Sequence, residues 1–157
     1  MFRLDGKSAL VTGASGGIGN AIARALHAQG AEVVLSGTRE EALQALAAEL
    51  GERAHVVTAN LGDAESVAAL AKSAEEIADG GIDILINNAG VTRDGLMMRM
   101  KDEDWEAVLN VNLTSGFRLS RALMRGMMKR RWGRVVGISS IVGSTRMWWR
   151  RALSRRR

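Results

Sequence analysis

A glycine cluster near the N-terminus constrains the fold of this chain more than any other feature. The run Thr12-Gly13-Ala14-Ser15-Gly16-Gly17-Ile18-Gly19 follows directly on an apolar segment, Ser8–Thr12 (SALVT), and opens an alanine-rich amphipathic stretch over 18–29. The spacing Gly-x-x-x-Gly-x-Gly permits a tight turn and a close approach of backbone to a ligand. A helix starting there aims oriented N–H donors and a partial positive charge into the turn, which suits the phosphates of a nucleotide. Glycines alone would mark only a strand–helix turn; glycines in strand–turn–helix context predict a dinucleotide-binding turn.

The rest of the chain repeats that alternation. Apolar runs at 32–36 (EVVLS), Ala54–Thr58 (AHVVT), 82–87 (IDILIN) and 134–139 (RVVGIS) are mostly continuous, as in strands covered on both faces. Helical patterns separate them. The first, 18–29, is closed by Gly30. Thr38-Arg39-Glu40-Glu41 reads as a capping box opening a helix to Leu50, with Gly51 at its end. Asp63 is placed to cap a helix through Ile77, and 102–131 reads as one long amphipathic helix closed by Gly133. Strict alternation predicts βαβ units with right-handed crossovers, hence an α/β fold with a Rossmann-type doubly wound parallel sheet of strands 1–5. The 157 residues suffice for one domain with a real core, which we assign to residues 1–143.

Composition narrows the function classes. With no cysteine there are no disulfides, no thiolate metal site and no cysteine nucleophile, and no metal is expected. The N-terminus has no apolar signal-like core, and no apolar run reaches membrane-spanning length, so a cytoplasmic location is expected. The net charge of +5 belongs to the last twelve residues, RMWWRRALSRRR, which hold six arginines and no acid. Without them the chain carries 16 basic and 17 acidic residues. Composition changes abruptly at about Ser144, and 144–157 reads as an aberrant basic tail. Arginines interleaved with Trp148 and Trp149 are of the type that grips phosphate and stacks or sits at interfaces. The run is short, and neither a nucleic-acid nor a membrane partner is assigned to it.

The choice of nucleotide rests on the end of the second strand. An NAD site usually places Asp or Glu there, against the ribose 2′-hydroxyl. Here the sequence is Leu35-Ser36-Gly37-Thr38-Arg39, with no acid before Glu40. Arg39 is suited to pair with a 2′-phosphate and Thr38 to hydrogen-bond it, which favours NADP(H). The plainer alternative makes Arg39 a solvated first-turn residue and Thr38 only a cap.

TGASGGIG at 12–19, Asn-Asn-Ala-Gly at 87–90, Asn112 within VNLT and GRVVGISS at 133–140 together resemble the short-chain dehydrogenase/reductase superfamily, and within it the bacterial 3-oxoacyl-(acyl-carrier-protein) reductases. The resemblance runs from about residue 2 to residue 143. It implies NADPH-dependent reduction of a 3-oxoacyl group on acyl carrier protein in fatty acid biosynthesis, by a homo-oligomer. Gly13, Ala14, Ser15, Gly16, Gly17, Ile18 and Gly19 would hold the pyrophosphate, and Asn60 and Leu61 would contact the adenine. Asn87, Ala89 and Gly90 would line the cofactor beside the ribose and support the fourth strand. Asn112 would belong to the catalytic tetrad, holding a water in a proton relay, and Ser140 would hydrogen-bond the substrate carbonyl. Taken singly, Asn87 and Asn88 are also ordinary strand-ending residues, and Ser139 and Ser140 ordinary partners for backbone groups. Met97, Met98 and Met100 read as packing or a mobile lid edge.

The resemblance also implies a tyrosine about thirteen residues after the serine and a lysine four beyond it. Those positions hold Leu153 and Arg157, and the chain contains no tyrosine at all. A positioned general acid contributes about 10²–10⁴-fold in rate, so negligible turnover is expected of this sequence. The alternatives are a non-catalytic NADP(H)-binding fragment or a short-chain dehydrogenase/reductase of another substrate. A shifted reading frame would account for the tail; sequencing the encoding DNA and finding an intact frame would refute it. With the C-terminal strands of the family missing, strand five is expected to be an unprotected edge and apolar faces to lie bare, leaving oligomer formation in doubt and solubility poor.

Overall fold

Five short runs of apolar residues form the strands, and the computed structural model describes residues 3–140. In chain order these are β1 (Ser8–Thr12), α1 (Gly17–Ala28), β2 (Glu32–Gly37), α2 (Glu40–Leu50), β3 (Ala54–Thr58), α3 (Ala64–Ile77) and β4 (Ile84–Asn87). A 3₁₀ turn at Met97–Arg99 leads to α4 (Asp102–Leu109), a π-helical turn (Asn110–Thr114), α5 (Ser115–Lys129) and β5 (Arg134–Gly137). Residues 141–143 of the expected domain and the whole 144–157 tail lie outside the described residues.

All strand pairs are parallel, in the order β3-β2-β1-β4-β5. Side chains of a strand alternate between faces, and β1 shows the result. Leu10 packs with Val34 and Leu85 against α3 and α5, among Leu70, Ala74, Leu119 and Leu123. Ala9 and Val11 face the other way with Val33, Leu35 and Ile86, against Ala23 of α1 and Leu43 and Leu46 of α2. Every residue of β1 is buried, as a central strand between two helical layers requires. The chain winds outward from β1 through β2 to β3, then returns to lay β4 on the other side of β1. That reversal opens a crevice at the C-terminal ends of β1 and β4, where open α/β sheets bind ligands.

The expected fold is present, with three local departures, and of the two readings of Met98 packing is set aside. The capping box does not form: α2 begins at Glu40, its N-cap is Arg39, and no side chain caps it. Thr38 stands one residue too early because the chain is still leaving β2. The expected helix 102–131 is broken by the π turn, in which the Ser115 N–H reaches back five residues to the Asn110 carbonyl. The helix ends at Lys129, with Arg131 (φ 56°) in the left-handed region, so Gly133 is not its cap. Met98 is 92% exposed and packs no core. Asp63 caps α3 as expected, accepting from the Glu65 and Ser66 amides at 3.2 and 3.1 Å. Strand β5 is exposed along its length, and among the described residues no strand pairs with its outer side.

Candidate cofactor site

The crevice is built around one hydroxyl. Thr12, buried at the end of β1, donates to the Ile86 carbonyl at 3.0 Å. The same oxygen accepts the amides of Asn88 and Ala89 at 3.0 and 3.1 Å. Asn88 completes the joint by donating from Nδ2 to the carbonyls of Thr12 (2.9 Å) and Gly13 (3.3 Å). The start of the glycine turn is thereby stitched to the end of β4.

That closeness dictates two glycines. Gly13 has φ 64°, and a Cβ on it would stand 2.9 Å from both Ala89 Cα and Asn88 Nδ2. A Cβ on Gly19 would collide with the Gly13 carbonyl and lie 2.7 Å from Asn88 Nδ2. The turn is closed by the Gly16 amide donating to the Gly13 carbonyl at 3.0 Å. Gly17 is different: a Cβ there would meet nothing within 4 Å, and the residue lines the crevice. The protein's own packing does not require this glycine. Gly16 is the N-cap of α1, no side chain caps the helix, and its first turn carries no acid. The leading N–H groups therefore face the crevice as donors for an anion.

The crevice encloses about 430 Å³, within the usual range for a small-molecule site. One wall is the glycine turn, contributing Gly13, Ser15, Gly16, Gly17, Ile18 and Gly19. The end of β2 adds Ser36, Gly37, Thr38 and Arg39, and the segment after β3 adds Ala59, Asn60 and Leu61. Asn88 to Val91 and Val111 of the π turn close the far side. Among the described residues Arg39 is the one charged side chain in this lining, and its guanidinium donates to the Ser15 carbonyl across the mouth. The donor set among the described residues fits a nucleotide: amides at the turn for its phosphates and a cation at the end of β2. The shifted ionisable groups lie elsewhere. Hydrogen bonds from Arg3 and Arg24 hold Asp5 and Glu49 below the usual carboxylate range.

Not every residue singled out from sequence reaches the crevice. Ala14 is fully buried, and its amide donates to the Ser36 carbonyl at 2.9 Å, joining the turn to β2. Asn87 turns toward α5, donating to Ser120 Oγ at 3.4 Å. Asn112 pairs both ends of its amide with Val91: Nδ2 donates to the carbonyl at 2.9 Å and Oδ1 accepts the N–H at 2.8 Å. Ser140 is exposed, three residues beyond β5, on the side of the sheet where Gly137 is registered with Asn87. Positions 153 and 157 lie outside the described residues. Sequence reasoning missed Thr12 and Asn88 as the lock of the turn, and Ser36, Gly37, Val91 and Val111 as lining. Asn88 was the findable one, since it sits inside the Asn-Asn-Ala-Gly motif.

The family model for short chain dehydrogenases matches residues 7–152. Nodulation protein G of Rhizobium sp. (strain N33) is 59% identical over 145 residues, covering 92% of this chain. The 3-oxoacyl-(acyl-carrier-protein) reductase FabG of Escherichia coli (strain K12) is 50% identical over 144 residues, covering 91%. A crystal structure of a protein provisionally described as a betaketoacyl-ACP reductase superposes with a TM-score of 0.85 at 34% identity, over 92% of this chain and 58% of that one. The chain spans 59% and 58% of the lengths of the two curated relatives. No helix among the described residues is long and apolar enough to cross a membrane. The parallel sheet, the glycine turn at its switch point and these matches agree: the chain belongs to the short chain dehydrogenases, a family of oxidoreductases.

Proposed function

We propose that this chain forms the NADP(H)-binding part of an oxidoreductase that reduces a 3-oxoacyl group carried on acyl carrier protein. The observation that carries the cofactor half is the crevice itself, walled by an uncapped helix N-terminus and holding Arg39 as the one charged side chain among its described lining residues. The substrate half is supported by similarity to the FabG reductases.

Bound there, the nicotinamide supplies a hydride to a carbonyl carbon. The chain's residues do the rest. The turn from Gly13 to Gly19 cradles the pyrophosphate with the leading amides of α1, and Arg39 with Thr38 takes the 2′-phosphate. Asn60 and Leu61 flank the adenine, while Ala89 and Gly90 shape the floor beside the ribose and Asn87, turned toward Ser120, supports the end of the fourth strand. The Ser140 hydroxyl donates to the substrate carbonyl, and Asn112 orders the loop at Val91 beside it. Reduction also needs a proton donor near neutral pH, and these 157 residues contain no tyrosine. The reading therefore expects this sequence to bind NADP(H) without turning over substrate by itself. We extend the proposal to a cytoplasmic protein that assembles with copies of itself.

Calorimetric titration with NADPH and, separately, NADH tests it. Saturable binding that prefers NADPH supports the reading; no binding of either nucleotide overturns it. A second reading is a short chain dehydrogenase acting on another carbonyl, since the relative at 59% identity, Nodulation protein G, carries a name that states no substrate while FabG stands at 50%. A 3-oxoacyl thioester that changes the fluorescence of bound NADPH supports the first reading, and no change at saturating thioester supports the second.

A further inference from the structure

The π turn does more than interrupt a helix. Such turns displace backbone from regular hydrogen bonding and recur at functional sites. Here three consecutive residues of the turn meet three different parts of the crevice. Val111 lines it. Asn112, on one side, holds the loop after β4 through the paired bonds to Val91. Asn110, on the other, donates from Nδ2 to the Gly62 carbonyl at 2.6 Å, directly after the lining residues Asn60 and Leu61. Positions 110 and 112 thus hold opposite rims with 111 between them.

The Gly62 rim has its own supports, which end at the π turn. The Gly62 amide donates to Asn60 Oδ1 at 3.0 Å, and the Asn60 amide donates to Ser66 Oγ at 2.9 Å. Arg118 of α5 donates to Asn110 Oδ1 at 3.3 Å, which fixes the amide orientation that presents Nδ2 to Gly62. The bond spans 48 residues in sequence and ties this rim to the π turn, beside the packing of Val111 against the core cluster that includes Leu61.

We propose that Asn110 is a positioning residue for the adenosine half of the cofactor: through Gly62 it sets the Asn60–Leu61 rim, while Asn112 independently sets the Val91 rim. This rests on the reading of the crevice as the NADP(H) site. The π turn registers the two rims against each other.

The test uses the full chain and two variants, Asn110→Asp, which keeps the shape but removes the donor, and Asn110→Ala. Calorimetry with adenosine 2′,5′-bisphosphate and with NADPH is combined with hydrogen–deuterium exchange on the unliganded protein. In both variants the bisphosphate and NADPH are expected to bind roughly five- to tenfold more weakly, the size of one lost hydrogen bond. Exchange is expected to quicken over 60–63 and stay unchanged over 88–91, with Asn110→Gln restoring part of the affinity. Unchanged bisphosphate affinity, or faster exchange spread evenly over both segments, overturns the proposal. Failure of the unaltered chain to bind either nucleotide overturns the cofactor reading, and this inference with it; binding by the unaltered chain separates the two.

Discussion

Gly13 and Gly17 sit four residues apart and answer to different constraints, one internal and one external. Gly13→Ala forces a Cβ into Ala89 at a positive φ and is expected to lower stability by about 1–3 kcal/mol, read from the urea midpoint. Gly17→Val adds its side chain to open space in the crevice. The urea midpoint should stay within about 0.5 kcal/mol while NADPH binding weakens at least about tenfold in calorimetry. If Gly17→Val binds NADPH normally, the turn does not seat the pyrophosphate. Arg39→Ala should weaken NADPH about 10- to 100-fold, the range for hydrogen bonds to charged groups, and leave NADH within twofold. Equal loss for both would remove the 2′-phosphate from the argument. At this scale the glycine motif was legible because its spacing is local. The lock between Thr12 and Asn88 was not, because the two act on each other across 76 residues; the motif could flag Asn88 but not its partner.

Among the elements, the strands were read to within two residues, since continuous apolar runs flanked by glycine admit little else. The break in 102–131 was invisible. The inner stripe Leu119, Leu123 and Met127 and the exposed Trp105, Leu109 and Leu113 keep a plausible helical period through the π turn, and nothing local announces a five-residue hydrogen bond. The capping box failed for a related reason: it assumed where β2 ends. Asp83 was not noticed as an element-joining residue. It is buried, 3.2 Å from Arg130 of the α5 C-cap and 3.6 Å from Lys7 ahead of β1. Those cations keep partial contact with water, so Asp83→Ala should cost about 2 kcal/mol, between the limits for surface and buried pairs. A thermal melt within a degree of the unaltered chain would show the pair to be idle. Between α1 and α2, Arg24 holds Glu49 below its ordinary pKa by a hydrogen bond. A depressed carboxylate stabilises the fold above its unfolded pKa, and that contribution fades as pH falls through the lowered folded value. Acid unfolding profiles of Glu49→Gln should therefore lose a small part of their low-pH slope and keep their shape near neutrality.

On the scale of the molecule, the outer face of the α4–α5 arm is unusually apolar for a surface. Phe117 is 59% exposed and Met128 70%, with Trp105 and Met124 about half exposed. Patches of this kind mark association surfaces. The proposed self-assembly, which the sequence leaves in doubt, should use this face where it occurs, so Phe117→Glu with Met128→Glu should shift sedimentation toward the monomer. An unchanged profile would move the contact elsewhere, with the exposed valines of β5, Val135 and Val136, as the next place to look. The Thr12 hydroxyl has a consequence for the order of events in folding. It ties the phosphate turn, complete in sequence by residue 19, to backbone at residues 86–89. A nascent first βαβ unit holds every glycine of the motif and still lacks the partner that stiffens it. Nucleotide affinity should then rise only when the fourth strand docks, a contact of long sequence separation and hence a late, slow one. In a refolding experiment, the nucleotide would serve as a clock for β1–β4 pairing rather than as a seed for the fold.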